Sequence, residues 1–186
     1  GIIIHAPHAF FHAECGRLGP ALPPFKEYAV GMVFLPRAPE TRQKCIDAFY
    51  RVVPEEGQIL LGWRDVPTDN SVLGFSVKPI EPIIRQVFIK RGPRTRSTDA
   101  FQRKLFVIRK QVHHAIWGEN LPDEDQFYIC SLAPRTIVYK GMILAENLSK
   151  YYLDLQAPNL VSALALVHHR FSTNTFPSWK LAHPSR

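Results

Sequence analysis

The sequence predicts an α+β fold with helices packed over antiparallel sheets, and three observations lead to that prediction. Short apolar runs bounded by Gly, Pro or polar residues are interleaved with longer segments of helical periodicity. Several predicted strands follow one another without an intervening helix, which favours antiparallel pairing over a regular βαβ series. The 186 residues are 46% hydrophobic and 21% charged, which is an ordinary globular composition with enough apolar residues for one sizeable core.

The predicted strands share an apolar run of four to eleven residues that ends at a turn signal. They comprise residues 1–4, 28–35, 59–67 (running into a turn), 80–90, 127–131, 136–139 and 161–168. Because only Leu132, Ala133, Pro134 and Arg135 separate 127–131 from 136–139, we expect these two strands to form a hairpin. The run 161–168 is expected to be a buried strand.

The predicted helices share apolar residues three or four positions apart. They comprise residues 7–15, 39–56, 98–115 and 141–155, and residues 16–26 form a Gly/Pro-rich loop. The third helix is the clearest, because Phe101, Leu105, Ile108 and Val112 form one apolar stripe. Asp99 is its expected N-cap.

The formal net charge of +7 permits a nucleic-acid or polyanion partner. The densest basic stretch, residues 90–96, contains Gly and Pro and no aromatic residue, so a solvated loop is the simpler interpretation. The alternative is a basic binding module, in which this loop and residues 103–110 contact a polyanion. Steep loss of nucleic-acid binding with salt would support that alternative.

The three cysteines, Cys15, Cys45 and Cys130, lie far apart and lack the spacing of a zinc site or a disulfide framework. We expect Cys45 and Cys130 to be core thiols and the compartment to be a reducing cytoplasm. Cys15 has no free α-amine and no base paired with it, so a structural role is expected. No apolar run approaches the roughly 20 residues that a membrane helix needs, and we expect no membrane partner.

The stretch that suggests chemistry follows the apolar run 162–167, where Arg170 stands at the end of a predicted strand. A buried guanidinium is costly unless it is paired, and its fork fits a carboxylate bidentately. Ser172, Thr173 and Asn174 can contact the polar remainder of a small ligand, which suits an α-amino acid. The alternative is that Arg170 pairs with an internal Asp or Glu and that the polar run is a turn.

Residues 168–179, His-His-Arg-Phe-Ser-Thr-Asn-Thr-Phe-Pro-Ser-Trp, resemble a motif of one known family. The family is the class II glutamine amidotransferase domain of glutamate synthase large chains, with the pattern H-x-R-F-S-T-N-T-x-P-S-W. Segments 1–11, 28–36, 62–67, 70–74 and 135–142 resemble further motifs of that family in the same order. Residues 181–186 resemble its L-A-H-P-F-R, with Ser185 where an aromatic residue is usual.

The resemblance implies an N-terminal-nucleophile hydrolase fold, of whose four-layer αββα sandwich this chain would form part. In that family an N-terminal cysteine attacks the side-chain amide of glutamine and its own α-amino group serves as the base. The ammonia passes to a synthase site, where reaction with 2-oxoglutarate and reduction give glutamate. FMN and an iron–sulfur cluster serve that second half and are expected outside this chain.

By the same resemblance, Arg170 would hold the α-carboxylate of glutamine, and Phe171, Thr173 and Asn174 would line the pocket beside it. The nucleophile segment is expected before Gly1 and the oxyanion-hole motif after Arg186. Residues 1–186 are therefore expected to be a partial domain, an internal fragment inactive by itself. Expected partners are L-glutamine, the remaining domains of the parent chain and a small reductase subunit, but no nucleic acid.

Overall fold

A computed structural model describes residues 1–18, 22–169 and 176–184. The strands are β1 (Ile2–His5), β2 (Tyr28–Leu35), β3 (Ile59–Asp65), β4 (Ile83–Lys90), β5 (Tyr128–Ala133), β6 (Thr136–Tyr139) and β7 (Ala165–Val167). The helices are α1 (His8–Leu18), α2 (Pro39–Glu55), α3 (Thr98–Ile116) and the single turn α4 (Leu148–Tyr151). Short 3-10 turns occur at Asn70–Val72, Lys78–Ile80, Glu124–Gln126, Ala145–Asn147 and Leu153–Gln156.

The strands form two sheets in which every pair is antiparallel. One sheet has the order β6-β1-β7 and the other the order β3-β4-β2-β5. Side chains from both sheets share one core: Ile4 and Tyr139 from the first sheet belong to the same buried cluster as Met32 and Phe88 from the second. The two sheets are therefore packed face to face.

Helices α2 and α3 cover the other face of the four-stranded sheet. On this face, strand residues such as Val33 of β2 and Val87 of β4 form a second buried cluster with Phe49 of α2 and Phe101 of α3. Alternate residues of β2 and β4 thus face two different cores, which explains why both strands are apolar along most of their length. The predicted α+β architecture of helices packed over antiparallel sheets is confirmed.

The predicted hairpin of residues 127–139 is wrong, because β5 and β6 lie in different sheets. β5 pairs with β2, whereas β6 pairs with β1. The chain crosses between the sheets at Pro134-Arg135, and the carbonyl of Arg135 accepts a hydrogen bond from the Ala6 N–H at 2.9 Å. Both strands are buried almost throughout, so their apolar runs lack the alternation that would assign them to one half-buried sheet.

The predicted helix 141–155 is also wrong in most of its length. Only Leu148–Tyr151 is α-helical, between the 3-10 turns Ala145–Asn147 and Leu153–Gln156. Tyr152 leaves the helix with φ −89° and ψ 98°, and it forms an isolated β-bridge with Thr68. Tertiary contacts of this stretch override its helix propensity.

Three further local predictions need correction. Ser97, not Asp99, caps α3 by accepting from the Ala100 N–H at 3.1 Å, while Asp99 forms an ion pair with Arg135 at 3.3 Å. Helix α1 continues into the predicted loop 16–26. The strand predicted at 161–168 is three residues long, and all three residues are exposed rather than buried; β1 is its single neighbour among the described strands.

Candidate functional site

A cavity of about 500 Å³ lies where the chain enters β1 and leaves β7. Gly1 and four short segments line it, and most of its described lining is apolar. The lining residues are Gly1, Val72, Leu73, Gly74, Val77, Gly141, Met142, Ile143, Leu144, His168, His169, Phe176, Pro177, Ser178, Leu181, Ala182 and His183. A mostly apolar cavity of this size with a few polar groups is typical of a small-molecule site.

The binding residues predicted from the sequence, Arg170, Phe171, Thr173 and Asn174, lie outside the described residues. The structure therefore neither brings them together nor separates them. Their neighbours in the sequence on both sides, His169 and Phe176, do line the cavity. The predicted binding segment is thus bracketed by residues of the cavity wall.

Backbone pairing fixes the rim where β1 and β7 meet. The Gly1 nitrogen donates to the His168 carbonyl at 2.8 Å, and the His168 N–H donates to the Gly1 carbonyl at 2.9 Å. This reciprocal pair extends the β1–β7 ladder by one residue. His168 is therefore held by sheet hydrogen bonds at the edge of the cavity.

Two polar side-chain atoms of the lining are buried without a hydrogen-bond partner among the described residues. They are Nδ1 of His168 and Oγ of Ser178. The His168 ring packs on the ring of His183, with centroids 4.5 Å apart. Because buried polar atoms nearly always have partners, both atoms are candidates for contacts with a polar ligand.

One wall of the cavity is formed by residues 176–184, called here the wall segment. Trp179 attaches it to the core with only 6% of its surface exposed. The Trp179 ring meets Phe34 edge to face at 5.7 Å and Tyr151 at 5.8 Å. A Cβ atom on Gly141 would lie 2.4 Å from the Trp179 ring, so the absence of a side chain at 141 permits this contact.

Another side of the cavity is formed by residues 72–77, and polar contacts of nearby residues hold it in place. Tyr151 Oη donates to Oε1 of Glu81 at 2.5 Å, and Asn70 Nδ2 donates to Oε2 of the same carboxylate at 3.1 Å. The Asp69 N–H donates to the Tyr151 carbonyl at 2.9 Å. Tyr151 therefore supports both sides, since its ring also contacts Trp179.

None of the three cysteines lines the described cavity. Cys15, Cys45 and Cys130 are all buried free thiols, which confirms the prediction of core thiols for Cys45 and Cys130. Burial raises the pKa of Cys15 to about 11 and those of Cys45 and Cys130 to about 12. A nucleophilic cysteine needs an accessible thiolate, so the environment of each thiol fits a structural role.

A buried charge network lies between the two sheets, and sequence reasoning missed it. Arg64 of β3 donates to both carboxylate oxygens of Asp154 at 2.8 Å, to Glu14 at 2.9 Å and to Oε1 of Gln86 at 2.9 Å. Tyr139 Oη also donates to Asp154, at 3.1 Å. Burial opposes the charged form of Arg64, but the hydrogen bonds and charge of Asp154, followed by those of Glu14, raise its pKa above the ordinary value.

The signal for this network is present in the sequence. Arg64 interrupts the apolar run of β3, and a buried arginine requires a carboxylate. For Arg170, pairing with an internal acid was the alternative prediction. The described structure shows such pairing at Arg64, with Asp154 as the bidentate partner.

Two cations of the predicted basic surface pair with neighbouring acids. Arg91 pairs with Glu27 at 3.0 Å, and Lys104 pairs with Glu56 at 2.9 Å. Among the described residues, no helix is long and apolar enough to cross a membrane. Within the same ranges, no group of three or more His, Cys, Asp or Glu side chains is placed to hold a metal ion.

Comparison with known proteins matches residues 1–186 to the family described as class II glutamine amidotransferases. The chain is 42% identical over 186 residues to the glutamate synthase [NADPH] large chain of Bacillus subtilis (strain 168), covering all of this chain and 12% of that protein. It is 43% identical over 191 residues to the glutamate synthase [NADH] of Schizosaccharomyces pombe, covering 100% of this chain and 9% of that protein.

A plant relative is similar over the same span. Identity to the chloroplastic ferredoxin-dependent glutamate synthase of Oryza sativa subsp. japonica is 38% over 186 residues, covering all of this chain and 11% of that protein. The chain thus spans only 9–12% of the length of these relatives. The family match covers every segment that forms the cavity, and the chain belongs to the class II glutamine amidotransferases.

Proposed function

We propose that residues 1–186 are the glutamine-binding part of an ammonia-producing domain in a glutamate synthase. The parent protein would convert glutamine and 2-oxoglutarate to glutamate, and so serve ammonia assimilation. The observation that carries the proposal is the cavity whose walls bracket residues 170–175 in a chain of this family.

Charge supports Arg170 as the ligand of the glutamine α-carboxylate. The described lining contains histidines but no lysine or arginine, although a carboxylate ligand calls for a strong cationic donor. Arg170 follows directly after the lining residue His169 and can supply that cation. Phe171, Thr173 and Asn174 are proposed to line the pocket beside it, while Ser178 and His168 offer further polar contacts.

The nucleophile is proposed to be none of the three cysteines of this chain. Their thiols are buried, their pKa values are raised, and no described cysteine borders the cavity. Residues 1–186 would then bind glutamine, while other residues of the parent protein attack the amide and stabilise the oxyanion. Binding alone does not accelerate the reaction, so residues 1–186 by themselves are expected to release no ammonia.

The redox half of the reaction is also proposed to lie elsewhere in the parent protein. The described residues do not fit an iron–sulfur cluster, because no three metal-ligating side chains converge among them. The FMN, the iron–sulfur cluster and a small reductase subunit are therefore assigned to the remaining domains. Three buried free thiols support a reducing compartment, and we propose the cytoplasm.

The test is the replacement Arg170→Lys in the full-length protein, which keeps the charge but loses the guanidinium fork. Hydrogen bonds to charged groups contribute roughly 1.5–3 kcal/mol, so the glutamine KM should rise about 10- to 100-fold. Glutamate formation from added ammonia should be unchanged, because ammonia bypasses the cavity. The matched control is Arg103→Lys on the exposed face of α3, and a glutamine KM equal to that of this control would refute the assignment.

A further inference from the structure

Lys140 is an unusual residue for its position, because its side chain is buried with only 1% of its surface exposed. Among the described residues, no Asp or Glu lies within ion-pair distance of it. Burial lowers its pKa, although the neighbouring thiol of Cys130 opposes the effect. A buried ammonium without a carboxylate is costly, so its contacts must compensate.

Two contacts receive the ammonium. Nζ of Lys140 donates to the Lys180 carbonyl at 2.9 Å. It also lies 4.4 Å from the centroid of the Tyr128 ring, within the range of a cation–π interaction. The backbone of Lys140 is itself fixed, because its carbonyl accepts from Tyr152 Oη at 2.7 Å.

The carbonyl that Lys140 binds belongs to the wall segment. Lys180 lies beside Trp179, the aromatic anchor, and between the lining residues Ser178 and Leu181. Besides the packing of His183 on His168, the wall segment therefore has an apolar attachment through Trp179 and a polar one through the ammonium of Lys140. The polar attachment is directional, so it also fixes the orientation of the backbone at 180.

We propose that Lys140 is a positioning residue for glutamine, which acts by clamping the wall segment through the Lys180 carbonyl. The inference rests on the proposed function, since it assumes that the ligand of the cavity is glutamine. The residues assigned to glutamine binding end only two positions before the wall segment begins. The clamp thereby fixes the cavity wall against which glutamine binds.

The test uses Lys140→Met in the full-length protein, because methionine keeps an unbranched apolar side chain and removes the ammonium. Backbone amides of residues 176–184 should exchange with deuterium about tenfold faster or more, as expected on losing a hydrogen bond from a charged donor. The glutamine KM should rise about tenfold, while glutamate formation from ammonia should stay within about twofold. Lys140→Arg keeps a cationic donor and should restore part of the lost affinity for glutamine.

The matched control is Lys150→Met, the same substitution at an exposed lysine of α4, which should change neither measurement. If Lys140→Met does not fold, the same measurements apply to Lys140→Gln, with the same direction and a smaller size. An unchanged glutamine KM in either folded variant overturns the proposal, even if exchange accelerates. A wild-type protein without glutamine-dependent activity would instead refute the proposed function, and the exchange measurement would still decide whether Lys140 clamps the wall segment.

Discussion

Replacement of Asp154 by alanine should be among the most damaging single changes to the packing of the two sheets. The side chains of Arg64 and Asp154 are only 5% and 2% exposed, and two hydrogen bonds of 2.8 Å join them. Without Asp154, the guanidinium stays buried, with Glu14 as its remaining carboxylate among the described contacts. Tyr139 Oη loses an acceptor in the same step.

The expected loss of stability on Asp154→Ala follows from the burial of the ion pair. Removing one partner of a buried ion pair costs roughly 3–5 kcal/mol when the other charge loses its main compensation, and here Glu14 holds Arg64 by a single hydrogen bond. The matched control is Asp65→Ala, which breaks another Arg–Asp ion pair. Asp65 at the end of β3 lies 2.7 Å from Nε of Arg85 on β4, but its side chain is 82% exposed. Exposed pairs of this kind contribute about 0.2–1 kcal/mol.

The assay is hydrogen exchange of the β3 and β4 amides in the full-length protein, which reports the opening of these strands without requiring a single global transition. At about 1.4 kcal/mol per factor of ten, Asp154→Ala should accelerate the most protected amides roughly 100- to 3,000-fold, and Asp65→Ala at most about fivefold. Equal acceleration by the two substitutions would refute the argument that the Arg64 network holds the sheets together.

Three further predictions follow from local environments. Cys15→Ser should leave glutamine-dependent turnover within about threefold. Because burial raises the pKa of Cys15 to about 11, native Cys15 should also resist alkylation at pH 8 until urea is added, as the masses of its peptides would show. Gly141→Ala would place Cβ 2.4 Å from the Trp179 ring; overpacking costs about 1–3 kcal/mol, so the glutamine KM should rise about tenfold while ammonia-dependent synthesis persists. Burial and then the charge of Lys110 lower the pKa of His113 below 6.5. The fold therefore has the full contribution of neutral His113 to its stability above pH 6.5 and loses it as the pH falls. His113→Phe should flatten the pH dependence of hydrogen exchange in α3 between pH 7 and 5.

Local sequence patterns correctly predicted the strands and helices whose structure is not changed by contacts with distant segments. The strand predicted at 28–35 matches β2, and the helix predicted at 39–56 ends one residue beyond α2. Each has a complete periodic or apolar signal and clear boundary residues, such as the prolines at 36 and 39. Pattern and tertiary environment agree in these segments.

The failures arose where distant contacts decide the local structure. Trp179 packs on Gly141, and Thr68 bridges to Tyr152, so residues 141–155 cannot form one continuous helix. Arg64 and Asp154 lie 90 residues apart, and no spacing rule pairs them. Sequence physics indicated that a buried arginine needs a carboxylate, but only the fold identifies its partner.

The predicted site residues 170–174 remain a prediction, because they lie outside the described residues. The motif after β7 led to residues 170–174, and the cavity wall begins and resumes on either side of them. The contacts of Lys140 and Trp179 with specific partners were not predicted. Their functional contacts depend on the close approach of two segments that are forty residues apart in the chain.

Transfer of the amide nitrogen tests the central claim most directly. The full-length protein would be incubated with glutamine labelled with ¹⁵N in its side-chain amide, with 2-oxoglutarate and a reductant, and the products analysed by mass spectrometry. The proposed function predicts ¹⁵N in the glutamate formed from 2-oxoglutarate, and much less label in that glutamate at low glutamine concentration for Arg170→Lys. Wild-type protein that releases no label from glutamine, or an Arg170→Lys variant that transfers it with unchanged efficiency, would contradict the account.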